Sequence, residues 1–99
     1  MPTLKVDFQE GFTGRTVILR INGKEVYRAE PRTRTQIGLA DSRSFELPAQ
    51  KVTLDCDIPD AGVSKALVLD LNKNSFVGVS LENGGAVSFK VSNEPFGYL

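Results

Sequence analysis

Two apolar, β-branched runs, RTVILRI (15–21) and KEVYRAE (24–30), are separated by Asn22-Gly23, and this arrangement constrains the fold more than any other feature of the chain. Asn-Gly between such runs is the strongest short-range hairpin signal, because a type I′ turn needs positive φ at both central positions. The turn sets a register in which Ile21 faces Lys24, Arg20 faces Glu25, Leu19 faces Val26 and Ile18 faces Tyr27. Arg20 and Glu25 are then expected to form a cross-strand ion pair, worth about 0.2–1 kcal/mol.

The same period of two runs through most of the chain. Leu4, Val6 and Phe8 alternate with Lys5 and Asp7, which predicts a first strand over residues 3–8. Pro31 ends the third strand because it has no N–H to donate. Alternation resumes over residues 33–39, with Thr33, Thr35, Ile37 and Leu39 on one face, and a turn is expected at Asp41-Ser42. Phe45 and Leu47 follow, and Pro48 ends that piece. Val52, Leu54, Cys56 and Ile58 alternate fully with outward Lys51, Thr53, Asp55 and Asp57, before a turn at Pro59-Asp60-Ala61-Gly62. The runs KALVLDL (65–71) and FVGVSL (76–81) flank a polar turn, and a second hairpin signal, ENGG (82–85), leads into AVSFKV (86–91). No apolar stripe of helical period spans three turns. About 7–9 short strands with turns every 8–12 residues predict one all-β domain, an antiparallel β-sandwich that is immunoglobulin-like in the broad sense, with a barrel as the second architecture.

Within this pattern, FELPAQKVTLDCDIPDAG (45–62), a Leu-Pro turn feeding an alternating strand, resembles prealbumin-like and carboxypeptidase-regulatory-like sandwich domains over about a fifth of the chain. The resemblance implies a non-catalytic accessory or binding domain. It supplies no functional residue.

Composition narrows the function classes. At 40% hydrophobic, with Phe, Val, Leu and Ile spread along the chain, a single ordered core is expected over residues 1–99. Twelve basic against twelve acidic residues argue against a domain devoted to nucleic acid. The chain has no His and one Cys, which removes histidine triads, histidine bases, histidine metal sites and Cys₄ zinc sites. No cofactor is expected. Residues 1–10 hold no continuous apolar stretch of the signal-peptide kind, and no window reaches the length needed to span a bilayer, so a cytoplasmic chain without membrane contact is expected.

Four groups are candidate sites. Arg28, Arg32 and Arg34 lie in a segment that holds all six arginines (15–43), and guanidinium groups so placed can grip a phosphate, sulfate or carboxylate. The structural alternative is a charge-guarded sheet edge. Asp55, Asp57, Asp60 and Asp70 are hard oxygen ligands suited to calcium, although the DLNKN run (70–74) continues with Ser75 and Leu81 where a calcium loop needs Gly and Glu. Their alternative role is to end strands. Cys56, between two aspartates and in phase with Val52, Leu54 and Ile58, reads as a core position and not as a nucleophile. Phe12 at a glycine-flanked loop tip, with Phe96 and Tyr98 in the tail, are candidate partner contacts whose alternative is to fold into the domain's own core. The expected function is a non-catalytic protein-interaction or accessory module, with self-association as one form of it. The alternative is a binding module for an anionic or carbohydrate ligand, assisted by calcium.

Overall fold

Alternation along the chain becomes two sheets packed face to face. The computed structural model describes residues 2–34, 36, 38–82 and 85–97. Eight strands occur among them: β1 (Thr3–Phe8), β2 (Val17–Ile21), β3 (Lys24–Ala29), β4 (Asp41–Glu46), β5 (Lys51–Ile58), β6 (Val63–Asp70), β7 (Phe76–Leu81) and β8 (Val87–Ser92). A 3-10 turn at Pro59–Ala61 joins β5 to β6. One sheet has the order β4-β1-β7-β8 and the other β3-β2-β5-β6. β1 runs parallel to β7, and every other pair is antiparallel. In immunoglobulin constant domains the first strand pairs with the second. Here it lies between the fourth and the seventh.

The residues that alternate inward form the core. Leu4, Val6 and Phe8 of β1 and Leu54, Cys56 and Ile58 of β5 have no solvent exposure, and they meet Val17 and Leu19 from β2 and Val77 and Val79 from β7. Phe12 joins them at 4% exposure, its ring edge-on to Phe8 with centroids 5.8 Å apart. Thr33 holds that loop in place: its hydroxyl donates to the Gln9 carbonyl at 2.6 Å and accepts the Phe12 N–H at 3.0 Å. Phe12 is therefore a core residue, and the expectation that it contacts a partner is corrected.

Among the described residues, two buried side chains lie on outer faces. Asp7 is 2% exposed; Ser42 donates its hydroxyl to it at 2.7 Å, and its other neighbour is Gly78, over which the Gln9 side chain lies. Ile18 is flanked in register by Arg28 and Asp57. Arg20 pairs with Asp57, which also takes the Ser64 hydroxyl, so long polar side chains cover an apolar one.

The hairpin forms as the sequence predicts at its turn and departs from it further along. Asn22 and Gly23 have φ of 53° and 82°, with Arg20 opposite Glu25 and Ile21 opposite Lys24. A β-bulge then inserts Val26, so that Leu19 faces Tyr27 and Ile18 faces Arg28. The bulge turns Tyr27 into the core instead of outward. Although Arg20 and Glu25 are opposite, Arg20 pairs with Asp57, and Glu25 pairs with Arg28 at 2.7 Å.

The strand expected over residues 33–39 does not form among its described residues. Arg34 donates its N–H to the Leu39 carbonyl at 3.0 Å and accepts from Gly38 at 2.8 Å, so the segment turns back on itself. Thr35 and Ile37 lie outside the described residues. Asp41 and Ser42, expected in a turn, open β4. The second hairpin pairs β7 with β8 as predicted, with Leu81 opposite Val87, while Asn83 and Gly84 of its turn lie outside the described residues. Among the described residues no helix is long and apolar enough to cross a membrane.

Candidate functional site

The two sheets end on each flank in a pair of edge strands: β3 and β4 on one side, β6 and β8 on the other. Near the start of β6 and β8 the second flank is drawn together, with Gly85 lying beside Ala61 and Val63. The β3/β4 flank is closed at one end and open at the other.

The closed end is built on Tyr27. The bulge at Val26 points its ring inward, where it stacks on Phe8 with centroids 4.6 Å apart and planes 19° from parallel. Its hydroxyl reaches across to the opposite sheet and donates to Asp41 Oδ2 at 2.9 Å. Asp41 Oδ1 accepts the Ser42 N–H at 2.8 Å and the Arg43 guanidinium at 3.0 Å, and that guanidinium lies 5.4 Å from the centre of the Tyr27 ring. Burial, reinforced by the bond to Asp41, pushes the Tyr27 phenol well above its ordinary ionisation range.

The open end is a groove of about 590 Å³. Its apolar wall comes from Ile21, Val26, Phe45, Leu47 and Pro48, and its polar rim from Asn22, Lys24, Ser44 and Glu46. This size falls within the roughly 300–1,000 Å³ of ligand-holding clefts. Among the described residues neither Lys24 nor Glu46 takes part in an ion pair. Beside the groove runs the free edge of β4, whose one neighbour in the sheet is β1. Leu47 donates its N–H to the Pro2 carbonyl at 2.8 Å, in line with the β1–β4 register. Strand alternation therefore turns the N–H and C=O groups of Ser42, Ser44 and Glu46 away from β1. Asp41 already accepts the Ser42 N–H. The backbone groups of Ser44 and Glu46 face the groove side unclaimed by the ladder.

Among the described residues, none of the expected site residues lines this groove. Arg28 is held by Glu25, and the pairing raises the proton affinity of the guanidinium and lowers that of the carboxylate. The Arg32 guanidinium packs over Gly14, and Arg34 sits at the base of the 34–39 turn, so the three arginines are tied to three different elements. Of the calcium candidates, Asp55 and Asp57 follow each other on the outer face of β5, Asp60 lies in the 3-10 turn, and Asp70 ends β6 opposite Lys51 at the far end of the ladder. Asp57 is occupied by Arg20 and Ser64, and Asp70 accepts the Asn72 N–H at 3.0 Å in a local turn. Among the described residues no three His, Cys, Asp or Glu side chains converge as a metal set. Cys56 is fully buried, and burial followed by the Asp57 charge pushes its thiol up to about 12. Phe96 is half-buried on the outer side of β8, with the Lys90 ammonium 5.8 Å from its ring centre, and Tyr98 lies outside the described residues.

One sequence signal did point to the groove. Val26 and Tyr27 are adjacent and both apolar, a break in strict alternation that marks a bulge. Comparison of the chain with protein-family models, with curated proteins and with solved structures finds no match.

Proposed function

We propose that this chain is a non-catalytic interaction module that holds an extended segment of a protein partner along the free edge of β4. The observation that carries this reading is the groove's position beside that edge. A strand added to β4 bonds to the backbone of Ser44 and Glu46 and directs alternate side chains over Phe45 toward Val26 and Ile21. Lys24 and Glu46 at the rim offer one charge of each sign to the flanking residues of the partner. The absence of histidine and the buried, reluctantly ionised Cys56 favour binding over catalysis. An anion site on the arginine-rich segment has less support, because Arg28 already has its carboxylate. The accessory or binding role that the resemblance over residues 45–62 implies is in keeping with this reading.

The test is a display selection of random twelve-residue peptides on the folded chain, followed by amide chemical-shift mapping of the recovered sequences. Binders should carry alternating apolar residues and move the Ser44, Glu46 and Val26 resonances. Ser44→Pro removes an edge N–H without touching the β1 ladder and should abolish binding. Peptides that bind the folded Ser44→Pro variant as tightly as the parent would refute the reading.

A further inference from the structure

We propose that two copies of this chain associate through the free edge of β6, in a two-fold antiparallel pairing centred on Leu67. β6 is the outermost strand of its sheet, eight residues long and paired with β5 along its whole length without a bulge. Leu71 donates its N–H to the Gln50 carbonyl at 2.7 Å, in line with the β5–β6 register. By alternation, the N–H and C=O groups of Ser64, Ala66 and Val68 point away from β5 toward the open edge, while the Asp70 carbonyl accepts the Lys73 and Asn74 N–H groups of the following turn, both at 3.0 Å. Val68 is 73% exposed and Val91, on the neighbouring edge strand β8, is 43% exposed. They are the two large apolar side chains most exposed among the described residues, and both belong to this flank.

Bulges and charges discourage edge pairing, and β6 carries little of either over its second half. β3, the other edge of the same sheet, is bulged at Val26. On β6 the one lysine, Lys65, points to the inner face, where its ammonium lies 5.9 Å from the centre of the Phe89 ring. Ala66 and Val68 are left as an uncovered template.

The sequence of β6 is complementary to itself. Pairing about Leu67 places Ala66 opposite Val68 of the second copy, and Ser64 opposite Asp70 of the second copy, each twice. All four positions are on the outer face; Ser64, Ala66 and Val68 turn both backbone groups to the edge, as a ladder requires, and the central Ala66–Val68 pairs carry the seam. Lys65 and Asp70 cancel within the strand, and twelve basic against twelve acidic residues leave no net repulsion between copies. A single-strand seam is a small interface, so the dimer is of micromolar affinity. The inference is independent of the β4 groove, which lies on the opposite flank.

Sedimentation equilibrium of the full chain, from a few micromolar to several hundred micromolar, tests it. The expected result is a reversible shift from monomer to dimer with no larger species. Val68→Lys should weaken the dimer at least about tenfold, because it puts a charge on an exposed, already solvated position of the pairing edge. Lys24→Glu, on the other flank, should leave the dimer unchanged. Register is read separately by mild oxidation. Leu67→Cys puts two thiols opposite each other across the two-fold axis, at a non-hydrogen-bonded site where strands approach closely enough for a disulfide. It should cross-link faster than Ala66→Cys, while the buried Cys56 stays reduced. A chain that stays monomeric, a dimer indifferent to Val68→Lys, growth past the dimer, or faster cross-linking at 66 would each overturn the proposal.

Discussion

Removing one hydroxyl, by Tyr27→Phe, tests whether the β3/β4 flank is closed in solution as the structure has it. The ring is 6% exposed and keeps its stacking on Phe8, so the substitution deletes one bond, 2.9 Å from Tyr27 to Asp41. A bond to a charged acceptor contributes about 1.5–3 kcal/mol when its loss strands the partner. Asp41 is not stranded, since it retains the Ser42 N–H and Arg43, and its side chain is 27% exposed to water. The expected loss is therefore at or just below the low end, about 1–1.5 kcal/mol, or a fall in Tm of roughly 4–12 °C for a domain of this size. Urea denaturation followed by far-ultraviolet circular dichroism at pH 7 measures it, with the slope unchanged. The pH dependence gives a second reading. The unfolded phenol ionises near 10.0, and the folded one holds its proton to higher pH. The Tyr27 contribution is complete below pH 10 and is lost as pH rises above it, by about 1.4 kcal/mol per pH unit. The gap between parent and variant should therefore narrow and then invert in alkali. A loss below about 0.3 kcal/mol with a pH-independent gap would mean that the flank frays and the bond to Asp41 is not made.

Cys56 gives an earlier alkaline limb: its unfolded thiol ionises near 9.0 and its folded one near 12, so stability is complete below pH 9 and declines through that window, and Cys56→Ala should remove this part of the slope in pH-dependent urea titrations. Two glycine substitutions should differ in size when compared by urea denaturation. At Gly23, φ is +82° with open space around it, and Gly23→Ala should cost about 1–2 kcal/mol from backbone strain alone. At Gly11 an added Cβ would sit 1.9 Å from the Leu81 carbonyl oxygen, so Gly11→Ala should cost more than Gly23→Ala by at least a further 1–3 kcal/mol of overpacking. Arg32→Glu with Arg34→Glu should change stability by less than about 0.5 kcal/mol in the same assay, because both side chains are exposed and neither is ion-paired among the described residues.

The strands with one face wholly in the core were legible residue by residue. β1 and β7 begin and end where alternation places them, because Leu4, Val6, Phe8, Val77 and Val79 all reach zero exposure and any slip would bring polar neighbours inward. Residues 33–39 carried the same pattern and did not form a strand. There, Thr33 spends its hydroxyl on the backbone around Phe12, a tertiary use of a β-branched residue that a pattern of two cannot separate from sheet formation. Asp41 and Ser42 have turn composition, yet Asp41 is needed by Tyr27 from the other sheet and Ser42 by Asp7 from the neighbouring strand. Apart from the adjacent apolar Val26 and Tyr27, the groove left no mark in the sequence, for a related reason. Its walls come from residues 21–26 and 44–48, and nothing local tells that β3 and β4 end on the same flank.

The two proposed surfaces have a joint consequence that neither has alone. β3 and β6 are the opposite edges of one four-stranded sheet, so pairing through β6 makes a continuous sheet of eight strands with a β3 at each end. Seven gaps of about 4.8 Å put the two β3 strands, and the grooves beside them, roughly 34 Å apart before twist. A partner carrying two copies of the binding segment can then engage both grooves if its linker reaches that far. An extended chain covers about 3.3–3.6 Å per residue, so linkers shorter than roughly ten residues fail, and a flexible Gly/Ser linker has a matching mean span at roughly 35–45 residues. A selected peptide joined in tandem should therefore gain affinity over the single peptide with a forty-residue linker and none with a five-residue one. Val68→Lys should cancel the gain while leaving the single-peptide affinity intact. Equal affinity for both tandem peptides in the parent, at concentrations where it is dimeric, would mean that the two flanks do not act in one assembly.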